Sequence, residues 1–362
     1  MHIMYRILIF ILVALNLQTC VQAQEKNILE KPTVDKRVEL MSIVFRLAEK
    51  QEYSNKNFNL YVDRIEQYFE TYKNHELIQF TKSIINESGI SFDGPMWLAV
   101  HLDENLNLLS DVKDVWQLDP RWTEENVKKF VPLLQKFYKD TKFDNFFKNN
   151  AELYTEAVKR FTSICEQIDS YWCFSFFGKE PAETFLIKIG FGIGGNCYGV
   201  NLDYINGNKK VYAIMGTGMF DSAGLPVFST MYDLPIVVHE FCHPFIDNLT
   251  AKHRELFRES GEKISSDAIT EAYPSWEVVL DEVLAHASMI KYMKDHDFAQ
   301  SEIKMWINAI KEGFGFFWIE ELVEELEKYD KQRDQYPTLE SYMPKLSEAY
   351  KIWTENIVKN MQ

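Results

Sequence analysis

Five consecutive residues, His239-Glu240-Phe241-Cys242-His243, constrain this chain more than any other stretch. The H-E-x-x-H spacing has a mechanical meaning only on a helix, where residues i and i+4 share one face. On that face both imidazoles can meet one metal ion. Glu240, beside the first of them, can reach a metal-bound water and take its proton. The flanking residues fit a helix. Asp233 is a candidate cap, Pro235 suits a first turn, and Ile236-Val237-Val238 with Phe241 make an apolar wall. A buried helix bearing two histidines and a glutamate needs a compensating partner, because unpaired polar groups inside a protein are costly. Pro244 removes one backbone hydrogen bond, so a kink or a helix end is expected near it.

A catalytic zinc site takes three protein ligands and keeps one position open. After His243 the chain runs Pro-Phe-Ile-Asp-Asn-Leu-Thr, with no third histidine following a glycine. Asp247, one turn on, is a candidate ligand or supporting partner. A second helix is expected over 276–293, with Val279, Val283, Ala287 and Ile290 at helical spacing. Glu282 and His286, four residues apart, lie on the margin of that apolar stripe, whereas Glu277 and Asp281 are expected to point away from it. Glu282 is the expected third ligand. His286 is a candidate to orient a ligand, to stabilise the transition state or to bond Glu282. Tyr273 and, more remotely, Tyr232 are further candidates for the stabilising role.

These motifs resemble those of the zinc metallopeptidases of the zincin class, and the gluzincin type in particular. The resemblance implies His239, His243 and Glu282 as metal ligands, Glu240 as general base, and one Zn2+ per chain. Two features depart from the thermolysin-like pattern: the linker from His243 to Glu282 is longer, and His286 stands where that pattern has an acid. The mature chain also resembles a secreted bacterial family catalogued only as a domain of unknown function. The stretches that carry this second resemblance are Val38-Glu39-Leu40-Met41-Ser42-Ile43, the segment 93–102, and Phe314-Gly315-Phe316-Phe317-Trp318-Ile319. It implies a coherent fold and no particular activity.

Composition bounds the rest. With 46% hydrophobic and 14% aromatic residues among 362, the chain can bury a large core. Its formal net charge of −15 argues against nucleic acid or anionic membrane surfaces as the main partner. Residues 1–23 read as a secretory signal: Arg6 near the start, an apolar run over 7–15, and Val21-Gln22-Ala23 as the cleavage pattern. The run is too short for a membrane span. Leu17-Gln18-Thr19-Cys20 resembles a lipoprotein box, so lipidation of Cys20 stays open as an alternative to ordinary cleavage. Export permits disulfides among Cys165, Cys173, Cys197 and Cys242, with three possible pairings. Cys165 and Cys173 are close enough in sequence to bridge locally, and Cys242 reads as a buried core thiol.

Residues 24–173 begin with a polar leader over 24–37 and then form a helical region. Helices are expected over 38–48, 60–72, 75–86, 96–102, 123–141 and 143–167, separated at Gly89, Asp93-Gly94-Pro95 and Asp119-Pro120. Residues 174–300 form the expected catalytic core. Strands are expected over 185–191, 198–204 and 210–215, the last two joined by an Asn206-Gly207 hairpin turn. Residues 301–362 return to helix, with Pro337 and Pro344 breaking the path before a last helix over 345–359. The expected fold is α+β and predominantly helical: a zincin-like core with a small sheet before the H-E-x-x-H helix and large flanking helical regions. The expected function is a secreted zinc metallopeptidase that hydrolyses peptide bonds in a peptide or protein substrate through a zinc-bound water activated by Glu240. The alternative is a non-catalytic exported or surface-attached binding protein that keeps the fold.

Overall fold

The structure, a computed structural model, describes residues 28–361 apart from 181–182, 265–272 and 274. Residues 1–23, expected to be a secretory signal, lie outside the described residues, Cys20 among them. Nine helices precede the sheet among the described residues: α1 (Lys36–Leu47), α2 (Asn59–Phe69), α3 (Glu76–Ser88), α4 (Gly94–Val100), α5 (Val115–Leu118), α6 (Glu124–Asp140), α7 (Phe143–Asn149), α8 (Ala151–Cys165) and α9 (Trp172–Phe177). Then come β1 (Glu183–Ile189), β2 (Cys197–Asp203) and β3 (Lys209–Met215). The chain returns to helix in α10 (Asp233–Ile264), α11 (Trp276–Asp295), α12 (Gln300–Phe314), α13 (Ile319–Lys331) and α14 (Leu339–Met361). The fold is thus predominantly helical with a small three-stranded sheet, an α+β arrangement. Among the described residues no helix is long and apolar enough to cross a membrane.

Local chemistry accounts for many boundaries. Asp35 caps α1 by accepting from the Arg37 N–H, and every residue from Val38 to Leu47 is buried. Gly89 closes α3 with φ of 66°, a left-handed conformation that glycine adopts without penalty. Ser275 caps α11 by accepting from the Val278 N–H. The sheet order is β1-β3-β2, with β1 parallel and β2 antiparallel to β3. The expected β2–β3 hairpin is present, and Gly207 takes φ of 90° in its turn. One cluster of buried apolar side chains runs from Ile28 to Tyr350 and joins the elements on both sides of the sheet.

Four local expectations are corrected. The leader is not free from residue 28 onward: Ile28 is buried, and residues 28–33 lie along β1, with Glu30 N–H donating to the Phe185 carbonyl at 2.9 Å. The expected 143–167 helix is two helices. Buried Asn150 separates them, its amide donating to the Phe146 carbonyl and its oxygen accepting from Arg64. Pro244 does not end its helix, which runs on to Ile264 because Phe241, Cys242, Phe245 and Ile246 are buried on either side of it. Pro344 likewise lies inside α14, in its first two turns.

Candidate metal centre

The helix α10, which carries the H-E-x-x-H residues, packs on the sheet on one side and most extensively on α11 on another. Asp233 opens α10, with its carboxylate turned back to accept from the Ser229 N–H at 2.6 Å. Val237, Val238, Phe241 and Phe245 anchor the helix in the core, with Phe241 stacked on Phe185 of β1 at 4.4 Å between ring centroids. This anchoring turns His239 and His243 toward α11.

There the side chains converge. His239 Nε2 and His243 Nε2 are 3.1 Å apart. Glu282 Oε2 lies 3.6 Å from His239 Nε2, and Glu282 Oε1 lies 3.8 Å from His243 Nε2. A tetrahedral ion with bonds of about 2.0–2.1 Å holds its ligand atoms about 3.3 Å apart. The observed separations bracket that spacing, with Glu282 facing the two imidazoles through different carboxylate oxygens. Two groups, His239–Glu282–His286 and His239–Glu240–His243, have ligand atoms within 4.8 Å of one another and could hold a metal ion. His239 and His286 are buried, whereas Glu282 keeps 23% of its side-chain surface exposed, so the cluster is reachable from one side.

The electrostatics favour positive charge at this point. Burial opposes protonation of His243, yet the Glu282 and Asp247 carboxylates push it up to about 10. Burial likewise works against the Glu282 anion, but His243 and His239 hold its carboxyl down at about 2. A cation between these groups would meet the same demand that a proton meets here. His243 Nδ1 faces Asp247 Oδ1 at 3.7 Å, so Asp247 is a supporting partner turned to the side of the ring away from Glu282. His239 Nδ1 and His286 Nδ1 are buried with no hydrogen-bond partner.

Glu240 is buried against β2. A Cβ on Gly199 would lie 2.8 Å from Glu240 Oε2 and 2.9 Å from the Glu240 carbonyl oxygen. Only glycine lets the strand approach this closely. Burial raises the Glu240 carboxyl above its ordinary range, against the pull of His239 and His243, and Glu282 and Asp93 raise it further. A raised carboxyl is suited to exchange a proton with a reacting group. The Tyr273 phenol is also pushed up, by burial first and then by the Glu282 and Glu240 charges. Tyr273 and His286 share one aromatic wall: Phe314 lies 6.2 Å from the Tyr273 ring and 4.9 Å from the His286 ring, and Phe316 also contacts both. Tyr232 is 40% exposed and rests on Trp306.

One sequence expectation fails here. Asp281 does not point to solvent. Its Oδ1 is buried, and burial with the nearby Asp247 charge pushes its carboxyl up to about 8. Gly199 and the Phe314–Phe316 wall were not legible as parts of the site. A glycine inside a strand was the one available signal for the first.

Residues 31–349 match the family described as a domain of unknown function, DUF4932. The chain belongs to that family. No curated protein and no solved structure matches it. Within this DUF4932 chain, two of the three stretches that carried the second resemblance bear on the site, and the first supports the end of β1. Glu39 of α1 accepts from the Phe191 N–H just beyond β1, Asp93 acts on Glu240, and Phe314 and Phe316 pack on His286.

Proposed function

We propose that this protein is a zinc-dependent metallopeptidase of the zincin type, exported from the cytoplasm. The observation that carries the reading is the convergence of His239 Nε2, His243 Nε2 and the Glu282 carboxylate beside a buried Glu240. His239, His243 and Glu282 would hold one zinc ion. When bound, zinc supplies Lewis-acid polarisation of a carbonyl and lowers the pKa of water. Glu240 takes a proton from the attacking water at its carboxylate and returns it to the departing amine nitrogen. The raised carboxyl of Glu240 suits both halves of that transfer. Asp247 orients His243 through Nδ1. Tyr273 or His286, on the aromatic wall, supplies a hydrogen bond to the developing oxyanion.

The test is a peptide-library screen with the zinc-loaded protein and its Glu240→Gln variant. The reading predicts peptide cleavage by the wild type, with turnover reduced by at least about 10³-fold in the variant at equal zinc content. Equal hydrolysis by both would remove Glu240 from the chemistry. Zinc binding without cleavage of any peptide would favour the binding-protein alternative.

A further inference from the structure

His286 follows Glu282 by four residues on α11, so the two side chains leave one helix face a turn apart. The residue is only 6% exposed. Its ring lies 4.3 Å from the His239 ring, tilted by 34°, and its other ring neighbours are Phe314 and Phe316. His239, Glu282 and His286 each offer a ligand atom within 4.8 Å of the other two.

Hydrogen bonding does not account for this buried imidazole. A histidine that oriented His239 would bond its Nδ1, yet the Nδ1 atoms of His239 and His286 are both buried and unpartnered. A histidine that held Glu282 would bond a carboxylate oxygen, yet those oxygens face His239 and His243. Among the described residues His286 makes ring contacts and no hydrogen bond. Leaving a buried polar atom unsatisfied costs about 1–3 kcal/mol. A cation shared with His239 and Glu282 is the partner within reach.

We propose that His286 is a fourth protein donor to the ion that His239, His243 and Glu282 would hold. The inference rests on the proposed zinc site and adds a third imidazole to it. A set of three imidazoles and one carboxylate suits zinc better than Mg2+ or Ca2+, which prefer oxygen ligands. Zinc can expand to five ligands, so a fourth protein donor is compatible with a hydrolytic water. The Phe314–Phe316 wall holds the His286 ring against His239. Tyr273, the half-buried member of that wall, is then the donor to the developing oxyanion.

The test counts imidazoles on the metal and does not depend on turnover. The full chain is loaded with zinc, and X-ray absorption fine structure is recorded for the wild type, His286→Phe and Phe314→Leu. His286→Phe keeps a ring in the wall and removes its nitrogens, whereas Phe314→Leu disturbs the same wall and leaves the nitrogens in place. Three imidazoles in the wild type and in Phe314→Leu, and two in His286→Phe, are expected. Competition with a chelator should show zinc held about 10–100-fold more weakly by His286→Phe. Zinc bound by the wild type through only two imidazoles would overturn this inference and leave the three-ligand site standing. A third imidazole that persists in folded His286→Phe, or unchanged zinc affinity in that variant, would also overturn it. A wild type that binds no zinc would remove the site and this inference together.

Discussion

Gly199→Ala tests the seat of Glu240. A Cβ at position 199 would stand 2.8 Å from Glu240 Oε2 and 2.9 Å from the Glu240 carbonyl oxygen, whereas ordinary contact begins near 3.4 Å. The carboxylate can swing aside, but the carbonyl belongs to the helix. Strand and helix must therefore part by about half an ångström, within the range where over-packing costs about 1–3 kcal/mol. Removing glycine from a strand returns at most about 1 kcal/mol, so the steric loss wins. A misplacement of about 1 Å can cost about 10²-fold in rate, so a shift of about half that size costs about 10-fold. We expect the variant to fold with a lowered Tm, to keep its zinc, and to lose about 10-fold in kcat with KM little changed. Thermal unfolding, zinc titration and peptide-hydrolysis kinetics on the same preparation separate these effects. A folded variant with unchanged kcat would refute the placement of Glu240 against β2.

Three further outcomes follow from the geometry. Asp247→Asn should weaken zinc binding about 10–100-fold, read by competition with a chelator, because it removes the charge facing His243 Nδ1; equal affinity would leave Asp247 without a supporting role. Glu39 is fully buried, and burial pushes its carboxyl from 4.5 up to about 7, so it favours the folded state below about pH 4.5 and loses that contribution as pH rises through about 7. Glu39→Gln should therefore gain up to about 3 kcal/mol on the wild type between pH 4.5 and pH 8, and parallel stability–pH curves would contradict this. Asn150→Ala removes the amide that donates to Phe146 and the oxygen that accepts from Arg64, and should lower stability by about 1–3 kcal/mol in denaturant unfolding.

The elements that could be read from sequence were those with local causes. The Asn206-Gly207 turn, the stripe Val279, Val283, Ala287 and Ile290, and the i, i+4 histidines each follow from spacing along one element. What escaped notice depends on partners distant in sequence. Residues 28–33 bridge to β1 across some 150 residues, and nothing local marks a polar leader as a partner of the sheet. Pro244 is a breaker by propensity, yet burial of Phe241, Phe245 and Ile246 against the sheet and α9 carries the helix through it. Asp281 looked outward by helical phase, but α10 with Asp247 covers that side. Glu282 follows from helical phase together with the gluzincin resemblance, and its two carboxylate oxygens lie within 3.8 Å of the His239 and His243 Nε2 atoms.

The central claim is that His239, His243 and Glu282 form one zinc site. Its most direct test is the zinc content of the purified chain beside His239→Ala and Glu282→Ala, with circular dichroism to confirm that each is folded. The account predicts one zinc per wild-type chain and its loss, or weakening by at least about 100-fold, in both variants. Full zinc retention by folded Glu282→Ala, or no zinc in the wild type even after zinc is supplied, would contradict it.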